Sequence, residues 1–171
     1  MNKNQTQLLS IIKTALKIES DGSNFYSMAA GGSSNPSAKQ IFDFLSDEEK
    51  KHYSAFLQYY KALENNKLLD FKSTIDELNY DSKESNDLFN HDFIKRLAGD
   101  NHSLSSVSIG VQLEQKSIAF YKGWVAKSSN KDEKDFLKIL IDAEIGHHDF
   151  LAGIEKELLG ESWDTNNFSP F

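Results

Sequence analysis

Two stretches of this chain repeat each other without a gap at an offset of 95 residues, and that repeat constrains the fold more than any other feature. Between Ile11–Leu57 and Ser106–Ala152, 11 of 47 positions are identical. The matches include Glu19/Glu114, Phe25/Phe120, Tyr26/Tyr121, Asn35/Asn130, Leu45/Leu140, Asp47/Asp142, Glu49/Glu144 and His52/His147. Shared helical composition accounts for part of this identity. It does not account for the distribution, in which every Glu and His on an apolar stripe finds an identical partner. Each half therefore reads as a Glu followed, thirty residues later, by Glu-x-x-His.

The stripes themselves have helical periodicity. Leu9, Ile12, Leu16, Glu19, Ser23 and Tyr26 step by three and four, as do Ala38, Ile41, Leu45, Glu49, His52, Phe56 and Leu63. So do Leu104, Val107, Val111, Glu114, Ile118, Tyr121 and Val125, and then Leu137, Leu140, Glu144, His147, Leu151, Ile154 and Leu158. With only two prolines, Pro36 and Pro170, few breakers interrupt these runs. Gly31-Gly32 ends the first helix, and Asn35-Pro36 caps and starts the second. Asp100 or Asn101 caps the third. Asn130 followed by Glu133 has the form of a capping box for the fourth. Gly160 is a natural stop after Leu158-Leu159.

The expected fold is an all-α four-helix bundle over residues 1–160, followed by an irregular tail over 161–171 in which Trp163 and Phe168 can dock. A chain of 171 residues suits one such domain. Two short helices are expected near Ser73–Asn79 and Ser85–Leu97, within a polar connection of about residues 65–100. A short turn makes consecutive helices antiparallel neighbours; a long connection permits a crossover between the second and third helices.

An interior stripe is a costly place for a carboxylate. An unpaired buried charge costs several kcal/mol even after relaxation, and four glutamates converging in one core also repel one another. Two divalent cations would balance four carboxylates. There is no cysteine, so any metal is held by oxygen and nitrogen. Carboxylates with imidazole suit iron or manganese, and a carboxylate can bridge two ions. Glu and His three residues apart share a helix face. The candidate ligands are thus Glu19, Glu49, His52, Glu114, Glu144 and His147. One Glu-x-x-His by itself is common by chance; two in equivalent positions, each thirty residues after a stripe Glu, are not.

The repeat also selects among neighbours. Glu48 lies near His52, but its counterpart is Ala143, so Glu49 is preferred. His148 has Tyr53 as counterpart, so His147 is preferred, and His91 and His102 are expected to face solvent. Tyr26 and Tyr121 are expected to pack in the core with hydrogen-bonded hydroxyls. Asp47 and Asp142 are either acceptors behind the histidines or plain surface acids.

The remaining composition excludes other classes. The formal charge of −7 and a single arginine, Arg96, argue against nucleic acid. No apolar run approaches the roughly 20 residues that span a bilayer, and Met1–Gln7 is polar, unlike a secretory signal. A cytoplasmic location with no membrane partner is expected.

At Ile18-Glu19-Ser20-Asp21-Gly22…Phe25-Tyr26, Asp47-Glu48-Glu49-Lys50-Lys51-His52, Leu113-Glu114-Gln115-Lys116-Ser117-Ile118-Ala119-Phe120-Tyr121 and Asp142-Ala143-Glu144-Ile145-Gly146-His147 the chain resembles the rubrerythrin branch of the ferritin-like superfamily. One Glu from each of two helices with Glu-x-x-His from the other two is the ligand set of ferritin-like dimetal proteins. The resemblance implies two iron ions, with manganese or zinc as alternatives in either site. It implies reaction with hydrogen peroxide or dioxygen, oxidation of iron(II), and re-reduction by a donor. Rubrerythrins usually carry a rubredoxin-like iron site of four cysteines; with none here, the electron donor is external. They also carry an extra Glu one turn after the third-helix ligand, where this chain has Ser117. That difference weakens a peroxidase assignment and moves the expectation toward a symmetric ferroxidase centre. The competing expectations are an iron-binding or storage protein without dedicated turnover and a metal-free structural bundle. Phe71 and Phe89 in the connection are candidates for a homodimer contact.

Overall fold

The computed structural model describes residues 3–65, 67, 74, 95–97 and 100–165, except the side chains of residues 3, 4 and 160–165. Four long helices form it: α1 (Lys3–Gly32), α2 (Pro36–Glu64), α3 (Asn101–Lys127) and α4 (Lys131–Thr165). There is no strand among the described residues. Residues 33–35 join α1 to α2 and 128–130 join α3 to α4. Connections this short force antiparallel hairpins. Packing is concentrated within the two hairpins, and α1 also touches α3.

The helix ends follow local chemistry. Asn35 accepts from the backbone N–H of Ser37 at 2.9 Å and Ala38 at 3.4 Å, with Pro36 at the first helical position. Asp100 does the same for α3, its carboxylate accepting from the N–H of His102 at 3.1 Å and Ser103 at 3.3 Å. Asn130 accepts from Asp132 at 2.9 Å and Glu133 at 3.2 Å. The expected return bond of a capping box is absent: the N–H of Asn130 donates to Ser128 instead. Glu133 is buried and accepts from the Tyr59 hydroxyl at 2.6 Å and from Ser128.

One boundary differs from the sequence expectation. Gly160 does not stop α4, which continues to Thr165, so the residues from 161 do not begin an irregular tail. A glycine lowers helix propensity by about 1 kcal/mol but leaves its N–H and C=O available. No proline follows before Pro170. The docking of Trp163 and Phe168 lies outside the described side chains. The short helices expected near Ser73–Asn79 and Ser85–Leu97, with Phe71, Phe89 and His91, lie outside the described residues but for isolated positions. Among those positions, Leu97 is buried in the core and the Asn35 amide donates to the Arg96 carbonyl at 2.7 Å.

The core is divided in two. One apolar cluster includes Tyr26, Ile41, Phe42, Leu45, Val107, Leu151 and Ile154. The other includes Ile12, Phe56, Tyr121, Trp124, Phe136, Leu137 and Leu140. Burying one such large side chain stabilises the fold by about 1.5–3 kcal/mol. The offset of 95 residues exchanges the clusters: Ile12 with Val107, Tyr26 with Tyr121, Phe42 with Leu137, Leu45 with Leu140, Phe56 with Leu151. The hairpins are therefore related by an approximate twofold. Along every helix the Glu and His positions fall between the two clusters.

Candidate metal centre

The polar layer between the clusters consists of Glu19 from α1, Glu49 and His52 from α2, Glu114 from α3, and Glu144 and His147 from α4. None is more than 4% exposed. Donor atoms gather in two groups: Glu19, Glu49, His52 and Glu144 in one, and Glu49, Glu114, Glu144 and His147 in the other. Within each group one atom from every residue lies within 4.8 Å of the rest. Two donors on opposite sides of an ion bonded at about 2.1 Å stand about 4.2 Å apart, so each group has the dimensions of a coordination shell. Glu49 and Glu144 belong to both groups, and a carboxylate is able to bridge two ions. The approximate twofold carries one group onto the other.

The imidazoles present Nδ1 to the carboxylates. His52 Nδ1 lies 3.0 Å from Glu144, 3.3 Å from Glu19 and 3.6 Å from Glu49. His147 Nδ1 lies 3.4 Å from Glu49 and 3.8 Å from Glu144. The two rings stack with centroids 5.6 Å apart. Despite these distances, Glu19 Oε2, Glu49 Oε1, both oxygens of Glu144 and His52 Nδ1 make no hydrogen bond of acceptable geometry among the described residues. An unsatisfied buried polar atom costs roughly 1–3 kcal/mol, and more when charged. Converging lone pairs that satisfy neither one another nor solvent fit a metal ion, and the donor set fits two.

Electrostatics give the same reading. Burial, and then the charges of Glu49 and Glu144, push the carboxyls of Glu19 and Glu114 well above the usual range. Burial also opposes ionisation of Glu49 and Glu144, but the imidazoles facing them outweigh it and hold both below that range. Burial likewise works against a charged imidazole, yet the surrounding carboxylates raise His52 and lift His147 to about 9. Four carboxylates buried together need positive charge beside them, from protons or from cations.

Two tyrosines complete it. Tyr121 donates to Glu19 Oε1, and Tyr26 donates to Glu114 Oε1. Burial and the neighbouring carboxylates raise both phenols well above their ordinary value, so they remain donors. The sequence placed each tyrosine seven residues from the Glu of its own helix. The fold pairs it with the Glu of the opposite hairpin, a contact that intrahelical spacing cannot reveal.

The alternatives fall elsewhere. Glu48 is buried but pairs with Lys51. His148 is flanked by Asp149 at 2.9 Å and Gln115 at 3.1 Å, and His102 is exposed. Asp47 is exposed and pairs with Lys50 at 2.7 Å; Asp142 is exposed too, so both are surface acids. Ser117 is buried, with its hydroxyl donating to the Leu113 carbonyl at 3.3 Å. Its repeat counterpart Gly22 lies against Glu49: a Cβ there would stand 3.4 Å from Glu49 Cγ. The two flank a cavity of about 180 Å³ that sequence reasoning did not anticipate.

No helix among the described residues is long and apolar enough to cross a membrane. No curated protein and no solved structure matches the chain. The family model described as Rubrerythrin matches residues 10–155, a span that contains all six Glu and His residues of the layer, both tyrosines and the repeat that relates them; the chain belongs to the rubrerythrin family.

Proposed function

We propose that this protein is a non-haem di-iron oxidoreductase that reacts with hydrogen peroxide or dioxygen while oxidising iron(II). The observation that carries the reading is the pair of donor groups sharing Glu49 and Glu144. A single shared carboxylate would suit one ion with a neighbour; two shared carboxylates suit a coupled pair, and the rubrerythrin family typically binds two irons.

Glu19, Glu49, His52 and Glu144 would hold one ion, and Glu49, Glu114, Glu144 and His147 the other. When bound there, two iron(II) ions would supply the two electrons needed to reduce peroxide, with two protons, to two waters. The chain's own residues supply the setting. Glu49 and Glu144 face both positions, so they can keep charge balanced at either. Tyr121 and Tyr26 fix one oxygen each of Glu19 and Glu114, and Glu19 Oε2 would remain for an ion. Apolar clusters lie on both sides of the layer, and their low polarity strengthens the charge interactions within it. These 171 residues hold no cysteine, and we assign re-reduction to a donor outside them.

The test is anaerobic loading with iron(II) followed by peroxide. Two irons per chain and a new near-ultraviolet absorption on addition of peroxide are expected. Two bound irons that peroxide leaves in the iron(II) state would sink the redox reading and leave an iron-binding protein. Failure to bind any metal would leave a structural bundle.

A further inference from the structure

We infer that the cavity between α1 and α3 is the port by which a small neutral oxidant reaches the centre, delivering it first to the position held by Glu114 and His147. The inference rests on the di-iron reading above and adds to it a route and a direction.

The repeat locates the mouth. Six of the lining residues form three equivalent pairs: Ile18 with Leu113, Asp21 with Lys116, and Gly22 with Ser117. Residues exchanged by an approximate twofold can line one opening together only if it lies near the axis. The cavity therefore opens between α1 and α3, where Asp21 and Lys116 are exposed. Its buried end departs from the axis. Glu49, Glu114 and Tyr26 line it there, whereas their counterparts Glu144, Glu19 and Tyr121 do not. Glu49 serves both donor groups, but Glu114 serves only the group that contains His147.

Size and chemistry select the occupant. A cavity of about 180 Å³ exceeds the roughly 30 Å³ share of one water several-fold, which admits a diatomic or peroxide-sized molecule. Its walls are mostly apolar, which suits a neutral molecule better than a hydrated ion. Two local choices hold it open. Gly22 contributes no side chain beside Glu49, and any group longer than a methyl would enter the space. Ser117 is short, and its hydroxyl is bonded to its own helix.

The experiment uses nitric oxide as a neutral diatomic probe, mixed with the anaerobic diferrous protein in a stopped-flow spectrometer. Ser117→Leu and Gly22→Val fill the cavity from opposite walls, so either carries the test if the other disturbs iron binding. Each is expected to slow nitric oxide association at least tenfold with two irons retained. Gly123→Ala, an exposed position on α3 where an added methyl has nothing within 4 Å, should stay within twofold of wild type. In wild type the fast phase should correspond to one nitric oxide per two irons. Wild-type association rates in both filled variants, with iron retained, would overturn the port. Equal fast binding at both irons would overturn its one-sided delivery. Diferrous wild-type protein that binds no nitric oxide at all would instead overturn the oxidant reading of the centre itself.

Discussion

The α1–α2 and α3–α4 hairpins each carry the same three donors, two glutamates and a histidine, and yet are packed by different residues. Tyr26 lies beside Phe25 at 5.3 Å and stacks on Phe42 at 6.4 Å. Tyr121 lies beside Phe120 at 5.5 Å and stacks on Phe56 at 5.5 Å, which in turn stacks on Trp124 at 5.9 Å. The counterparts of Phe42, Phe56 and Trp124 are Leu137, Leu151 and Ala29. Where a side chain must deliver a donor atom to a fixed point, the halves agree. Where it must only fill space, they diverge, because an apolar core tolerates exchange so long as total volume is kept. The glutamates, histidines and tyrosines of the layer are held by chemistry rather than by packing.

The sharpest way to break the symmetry is through the shared carboxylates. Glu49→Gln or Glu144→Gln removes a donor from both groups, whereas Glu19→Gln or Glu114→Gln removes one from a single group. The shared variants should lose both ions. Their affinity should fall beyond the roughly 10–100-fold that loss of an outer-shell partner costs. The unshared variants should retain about one ion per chain. Elemental analysis after loading and desalting measures this, and four identical stoichiometries would dissolve the distinction between shared and terminal glutamates.

Metal removal tests whether the layer is strained without cations. Ions at 100 times their dissociation constant stabilise the folded state by about 2.7 kcal/mol each, or a rise of roughly 5–10 °C in Tm for a chain of this size. The pH dependence has a definite sign. His147 is raised to about 9 in the fold against about 6.5 unfolded. Its contribution to metal-free stability is therefore complete below about 6.5 and lost as pH rises through about 9. The raised carboxyls of Glu19 and Glu114 act in the same direction, since their neutral forms are favoured in the fold. The stabilisation by metal should accordingly be larger at pH 9 than at pH 6. A gain that shrinks with rising pH would contradict the proton-for-cation exchange.

Much of this was legible beforehand, for reasons visible in particular residues. Asn35-Pro36 and Asp100 announced their helices through local chemistry, and the stripes announced the faces. Glu49 was separable from Glu48 because the repeat holds a glutamate at one position and Ala143 at the other. What escaped was long-range. Glu133 resembles a capping-box partner in sequence, but in the fold it meets Tyr59, 74 residues away. Gly160 has a terminator's identity but lies within α4. The cavity escaped because Gly22 and Ser117 carry no shared residue type, only shared smallness. Sequence separates chemistry well; it does not show which side chain from another helix will arrive opposite.

The tyrosines sharpen the comparison at smaller scale. Tyr121→Phe should weaken the ion held by Glu19, and Tyr26→Phe the one held by Glu114, each by about 10–100-fold as expected for an outer-shell donor. The effects should cross between hairpins, since each tyrosine serves the opposite half. A spectral titration with cobalt(II) resolves this, and a Tyr26→Phe variant that weakens the Glu19 group instead would show that the cross-pairing is wrong.

The smallest expected effect lies behind Tyr26. Gly110 and its counterpart Ala15 differ by one methyl group. A Cβ added at Gly110 would stand 3.0 Å from Leu151 Cδ1 and 3.2 Å from both Cε1 and the hydroxyl of Tyr26. Alanine improves helix propensity by about 1 kcal/mol, and overpacking costs about 1–3 kcal/mol. The balance depends on whether the neighbours can yield. Leu151 can turn, but Tyr26 is fixed by its stack on Phe42 and its bond to Glu114. Gly110→Ala should therefore destabilise by about 1 kcal/mol net, and it should weaken the Glu114 ion because the hydroxyl is displaced. In Gly110→Ala/Tyr26→Phe the penalty on that ion should not add to the penalty of Tyr26→Phe alone, whereas additive losses would mean that Gly110 acts on the helix and not through the tyrosine.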